Sequence, residues 1–400
     1  MAVPLSGILK MMLPPNEHTA MLRASLYQGD MALHAWKSWE SRYGGLRRTL
    51  ENRTPAAVKR LLPLLSANRA KNKIQIDPEL KTILRTAELR EQSRNPVFRH
   101  ACKFAFEALR DGMTSFLVLK GAALAETEYD KPWLRHCHDC DLLVKRSDFA
   151  NARQSLLSSG FTQLTETPSD RGESISFAHP NGLPINLHSR LLRFPEYELD
   201  ENSMWNRAER RSICGVEALV LSPEDALLHL CVHSTTTYSR EFLCWVSDSW
   251  MLIAKHQSID WDQLSANARN AGVQLPAHVT LQYLAEELQA PIPISIINRL
   301  GDCASRLSLS LRETALFGLM AGRQLNAVEI IRNIRSMGDA LTLAKWMFMP
   351  SSGHMRWKYA VTRPWLLPVY YLARPFRAIA SRVSHRISQD LRLGIRNGPS

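Results

Sequence analysis

Apolar residues recur at three- and four-residue spacing through MALHAWKSWESRY, AAVKRLLPLLSANRA and DPELKTILRTAELREQSRNPVFRHACKFAFEAL, which predicts helices over most of residues 1–113. Asp77-Pro78 marks a helix start, with Asp as cap and Pro in the first turn. The texture then changes. FLVLK (116–120) and CDLLV (140–144) are short apolar runs bounded by turn residues, the pattern of buried strands. A helix is expected between Ser147 and Ser159, opened by Ser147-Asp148 and closed by Gly160. SISFAHP and LPINLHSRL, joined across Pro180-Asn181-Gly182, predict a hairpin. From Ser222-Pro223-Glu224 onward, PEDALLHLCVHSTT, REFLCWVSDSWMLIAKH, DWDQLSANARNAG and HVTLQYLAEELQA are again helix-length and amphipathic. The expectation is an α+β fold with a small mixed-sheet core at 114–215. A helical region precedes it at 1–113, a helical domain follows at 216–349, and a basic amphipathic tail occupies 350–400.

Composition narrows the classes. A chain of 400 residues with 45% hydrophobic and 22% charged residues is ordinary for a globular protein. No stretch of apolar residues is long enough for a spanning helix, and MAVPLSGILKMMLPPNEH makes a poor secretory signal. Seven scattered cysteines argue against a disulfide framework and for a reducing, cytoplasmic setting. The net charge is +12, but it is concentrated. Residues 351–400 hold nine Arg or Lys against the single acid Asp390. A basic tail on a nearly balanced body disfavours nucleic acid as the partner of the whole protein.

Chemistry concentrates between Phe116 and Val144. Asp139 and Asp141, one residue apart on a strand, point to one face with Cα atoms about 7 Å apart. Such a pair suits a divalent cation with oxygen ligands, and the solvated turn is the bland alternative. Lys120-Gly121 ends the preceding strand. Gly121 permits close backbone approach, the helix starting at Ala122 offers N–H groups to an anion, and Lys120 could reach a phosphate. Arg135, four residues before Asp139, could pair with triphosphate oxygens or sit on the surface against Asp130 or Glu128. Cys137-x-x-Cys140 lacks a second ligand pair for zinc, and His229 and His233, four apart on an apolar helix, read as core or interface histidines.

LVLKGAAL, Tyr129, Arg135-x-x-x-Asp139-x-Asp141-Leu-Leu-Val, Asp148 with its helix, Ser159-Gly160-Phe161, INLHSRL and SPEDALLHLCVH together resemble the uncharacterised nucleotidyltransferase family of the DNA polymerase β-like superfamily, over roughly residues 85 to 300. The resemblance implies a mixed-sheet nucleotidyltransferase core, Mg²⁺ (or Mn²⁺) on Asp139 and Asp141, and transfer of a nucleoside monophosphate from an NTP to an acceptor that the family does not reveal. It also implies a third carboxylate on the strand after the hairpin. This chain has Asn186-Leu187-His188 there. Asn186 offers an oxygen without charge, and His188 is a substitute base or ligand. An impaired, nucleotide-binding or scaffold protein of a surface-polysaccharide or peptide-product system is therefore the alternative. A sugar-nucleotide glycosyltransferase would need a longer α/β half before its carboxylate pair. In the tail, Phe376, Ile379, Val383, Ile387 and Leu391 form one apolar stripe flanked by Arg377, Arg382 and Arg386. An anionic membrane surface met by residues 364–396 and a helix packed on the body are equally expected.

Overall fold

The structure is a computed structural model, and it describes residues 13–51, 55–164, 174–192, 197, 199–236, 243–306 and 364–371. The chain separates into two compact units. The first comprises Met1–Ser308 with Leu316–Gln324, the second Leu309–Ala315 with Leu325–Ser400. Of the second, only a 3-10 turn at Pro364–Leu366 running into a helical turn to 371 is described. The stripe from Phe376 to Leu391 lies outside the described residues.

Among the described residues, the first unit opens with five helices: α1 (Asn16–Leu26), α2 (Gly29–Tyr43), α3 (Gly45–Glu51), α4 (Ala56–Lys71) and α5 (Pro78–Asp111). The expected start of α5 holds, because the Asp77 side chain accepts a hydrogen bond from the Glu79 N–H at 2.8 Å. Next come β1 (Phe116–Leu119), α6 (Lys120–Thr127), β2 (Cys140–Val144), α7 (Phe149–Ser158), β3 (Thr162–Gln163), β4 (Ser174–Ala178) and β5 (Pro184–His188). Then follow α8 (Glu201–Arg207), β6 (Glu209–Ile213), β7 (Val216–Val220), α9 (Pro223–Thr236), α10 (Cys244–Lys255), α11 (Trp261–Asn270), α12 (Gln274–Leu288) and α13 (Ile294–Arg306).

The seven strands form one mixed sheet in the order β3-β4-β5-β2-β1-β7-β6. β2 runs parallel to β5 and β1 parallel to β7, while the remaining neighbours are antiparallel. The pattern along the chain anticipates β1, β2 and the β4–β5 hairpin. It does not anticipate β6–β7. That hairpin turns on Cys214-Gly215, both with positive φ (53° and 81°). A two-residue turn of this kind ordinarily announces itself through Asn or Asp, and β6 is an edge strand whose Arg210, Arg211 and Ser212 are exposed.

Period-two alternation sorts the sheet into two faces. Phe116, Val118, Cys140, Leu142, Val144, Ile185 and Leu187 join Phe98, Phe106 and Leu109 of α5 in one core. Leu117, Leu119 and Leu143 point the other way, into a larger core that takes in residues of α1 to α4 and of α9 to α13. Helices from both ends of the sequence thus share one apolar cluster under the sheet. Two buried ion pairs fix them to it. Arg207 grips Asp225 through Nε (2.9 Å) and Nη2 (3.0 Å), and Arg135 grips Asp248 likewise, at 3.1 and 2.8 Å. Among the described residues no helix is long and apolar enough to cross a membrane.

Candidate functional site

Strand register builds the site. Asp141 lies beside Leu119 of β1 on one side and Asn186 of β5 on the other. Its neighbours Cys140 and Leu142 enter the first core, so the Asp141 carboxylate emerges on the opposite face with Asn186 and His188. The strand starts at Cys140, and Asp139 stands just before it. The structure therefore brings Lys120, Asp139, Asp141, Asn186 and His188 into one cluster.

The bonds are specific. Lys120 Nζ donates to Asp141 Oδ2 at 2.8 Å, and His188 Nε2 lies 2.9 Å from Asp141 Oδ1. A carboxylate only accepts, so the Nε2 that faces it carries a proton. Asn186 Nδ2 donates to both acids, to Asp139 Oδ2 at 3.2 Å and to Asp141 Oδ1 at 3.1 Å. Ser176 Oγ, 2.7 Å from Asn186 Oδ1, holds the amide in that orientation. Burial opposes ionisation of Asp141, but the Lys120 ammonium and the His188 imidazole overcome it and hold the carboxyl well below the usual carboxylate range.

Lys120 reaches Asp141 through an uncommon backbone. Its φ is +47°, a left-handed conformation that costs a side-chain-bearing residue roughly 1–2 kcal/mol. The turn swings the chain from β1 into α6 and aims the ammonium across the strand ends.

Gly121 and Arg135 are also together, but for a different reason than phosphate approach alone. A Cβ on Gly121 would fall 2.6 Å from Arg135 Nη1 and 2.9 Å from Cζ. The guanidinium lies against the glycine and turns its fork to Asp248, which is fully buried. Tyr129 Oη adds a hydrogen bond to Asp248 Oδ1 at 2.8 Å. The sequence suggested that Arg135 pairs with triphosphate oxygens or with Asp130 or Glu128. Its bidentate partner is Asp248 instead, a residue that a sequence distance of more than a hundred positions conceals. Arg135 thereby joins the loop leading to Asp139, the start of α6 and α10.

The spacing of His229 and His233 on an apolar helix predicts core or interface histidines. His229 is buried, and the two rings make an edge contact with centroids 6.0 Å apart. Their surroundings are more pointed than core packing. Burial and then the Lys120 ammonium push the His229 imidazole down to about 3, with Asp141 and His188 also within electrostatic range. The same two causes, joined by His229, depress His233. The pair forms a neutral back wall to the Lys120–Asp141–His188 cluster. The i, i+4 spacing was the available signal, and only the packing of α9 shows what it faces.

This has a measurable consequence. The folded His229 value lies below the ordinary 6.5, so below pH 6.5 the unfolded chain takes up the proton first. The contribution to stability is complete above about pH 6.5 and is lost as pH falls toward about 3, at up to about 1.4 kcal/mol per pH unit. Urea denaturation from pH 7 to pH 4 is expected to show a shallower loss of stability in His229→Gln than in the parent chain. Equal slopes would refute the assignment.

Do these residues fit a divalent cation? Among the described residues no group of three or more His, Cys, Asp or Glu is arranged to hold a metal by itself. Mg²⁺ in nucleotide sites is commonly held by one or two carboxylates, with substrate phosphates and water completing its shell. Asp139 Oδ1 accepts no hydrogen bond among the described residues, and each carboxylate oxygen retains capacity beyond the bonds named above. The pair fits one cation arriving with its polyphosphate. It does not fit a second, because Asn186 turns N–H donors, not a third carboxylate, toward the acids.

No curated protein matches the chain. Among solved structures, it is similar to the crystal structure of an antigenic nucleotidyltransferase-like protein from Paracoccidioides brasiliensis, at 19% identity and a TM-score of 0.31, over 49% of this chain and 95% of that one. The sequence pattern of a family described as uncharacterised nucleotidyltransferase matches residues 54–289, which span the whole sheet and every member of the cluster around Asp141. With more than half its length so matched, the chain belongs to that family.

Proposed function

We propose that this protein is a Mg²⁺-dependent nucleotidyltransferase that transfers a nucleoside monophosphate from an NTP to an acceptor hydroxyl. The observation that carries the proposal is the convergence of two carboxylates, an ammonium and an oriented imidazole at the ends of β1, β2 and β5. Asp139 and Asp141 would hold the cation, which supplies positive charge to the triphosphate. The Lys120 ammonium and the free N–H groups at the start of α6 add to that charge. His188 takes the acceptor proton on Nδ1, with Asp141 fixing its tautomer through Nε2–H. The acceptor oxygen forms its bond to the α-phosphorus, the bond to the bridging oxygen breaks, and pyrophosphate leaves with the electron pair. Arg135 acts at one remove, by holding the Gly121 turn and the Asp139 loop in register. Asn186 and Ser176 keep the two acids parallel.

One observation favours a second reading, a nucleotide-binding protein that turns over slowly or not at all. Asn186 supplies donors where a two-metal mechanism needs an anion. The tail's approach to an anionic membrane belongs to this reading as a docking device.

Purified full-length protein with labelled NTPs and Mg²⁺ should release pyrophosphate. Asn186→Asp separates the readings. Without Mg²⁺ it gathers three carboxylates and forfeits two donated hydrogen bonds, so thermal unfolding should show a loss of about 2 kcal/mol. Millimolar Mg²⁺ should restore it, and turnover should rise. A variant whose melting ignores Mg²⁺ and whose turnover is unchanged would argue against a metal-binding role for this carboxylate pair.

A further inference from the structure

A groove runs along the flank of α6, between that helix, β6–β7, α9 and α10. At one end are Lys120 and His229, the inner wall of the catalytic cluster. At the other are Glu128 and His256. Eight residues of helix separate the two ends, about 12 Å at 1.5 Å per residue. The walls between are apolar, formed by Leu124, Val220 and Leu252 among others.

Glu128 is the anomaly. Its side chain is only 7% exposed. His256 Nε2 makes a long bond to Oε1 at 3.4 Å and stands 3.2 Å from Oε2, yet Oε2 accepts no hydrogen bond. Burying a carboxylate oxygen without a donor is costly. Nearby cations are committed elsewhere. Lys255 donates to the Thr127 carbonyl, Arg211 pairs with Glu209, and Lys120 pairs with Asp141. The groove opens to solvent and holds a volume of about 40 Å³. At roughly 10–15 Å³ per water-sized group on this measure, it admits about three such groups. That suits the tip of a side chain and not a purine.

We propose that the Glu128 end of this groove recognises a protonated aminoalkyl group, the short tip of an acceptor that reaches in from solvent. An ammonium brings the N–H donor that Oε2 lacks and a charge that a buried carboxylate favours. Its alkyl stem meets the apolar walls. That the amine belongs to an acceptor rests on the nucleotidyl-transfer reading; the amine pocket itself does not.

The test therefore omits nucleotide and Mg²⁺. Saturation-transfer NMR on the full-length protein compares ethylammonium with ethanol, its neutral isostere, and with K⁺ as competitor. Ethylammonium should bind at least about tenfold more tightly than ethanol. Glu128→Gln should remove that preference, while Asp139→Asn should keep it and lose nucleotidyl transfer. Equal binding of ethanol, or equally effective displacement by K⁺, would overturn the amine pocket in the parent protein, whatever the fate of the variant. Amine binding that persists in a protein without transferase activity would retain the pocket and reject only its assignment to an acceptor.

Discussion

Asp139→Asn is expected to lower nucleotidyl transfer by at least about 10³-fold while leaving the fold intact. Removing an electrostatic group that acts on the developing charge of the transition state typically costs that much. Asp139 stands before β2 and, among the described residues, carries one close hydrogen bond, from Asn186, so its loss should alter stability by about 1 kcal/mol or less. Asp141→Asn should lose as much activity and be costly to the fold as well. Lys120 and His188 both bond to that carboxylate, and breaking a buried ion pair from one side leaves the ammonium uncompensated, at about 3 kcal/mol. The paired measurement, pyrophosphate release and thermal unfolding of both variants, distinguishes a cation-binding acid from one that also holds the strand ends together. Equal stability in both variants would contradict the bonding pattern.

Arg135→Ala should be the largest destabilisation among the residues near the site. Asp248 is fully buried, and its two oxygens receive Arg135 Nε and Nη2. Truncation leaves a buried carboxylate with Tyr129 as its one remaining side-chain donor among the described residues. The expected cost is about 3–5 kcal/mol, or a fall in Tm of about 10 °C for a unit of this size. Asp248→Ala should show a similar fall, because it strands the guanidinium instead. Nucleotide affinity, measured well below the transition, should drop only modestly. A variant of parental stability that has lost nucleotide binding would return Arg135 to direct contact with phosphate.

The part of the site that the chain announces is the part encoded locally. Two acids spaced for one strand face, a Lys-Gly turn after an apolar run and the NLH triplet after a hairpin each rest on the two-residue period of a strand. Pairing of β2 with β5 on one side and with β1 on the other then brings the three together. What the pattern hides is long-range. Asp248 sits on an amphipathic helix where nothing local distinguishes it from an ordinary polar position, and only the fold delivers it to Arg135. His229 and His233 carried a visible spacing, but apolar neighbours made burial the simpler explanation. His229 is indeed buried, and it is buried against a charged cluster. Gly121 permits close approach, and the first group to fill that room is the Arg135 guanidinium. The β6–β7 hairpin escaped because a Cys-Gly turn and an arginine-rich edge strand lack the usual turn and alternation signals. Cap and turn signals fared better, as Asp77 at the head of α5 and Gly160 (φ 87°) beyond α7 illustrate.

The most direct measurement is calorimetric titration of each common NTP into the full-length protein, with and without Mg²⁺, repeated on Asp139→Asn. The account predicts saturable binding with Kd of about a millimolar or tighter, for at least one nucleotide, that requires Mg²⁺ and disappears in the variant. Absence of binding for every nucleotide in the presence of Mg²⁺, or binding indifferent to both the cation and Asp139, would contradict it.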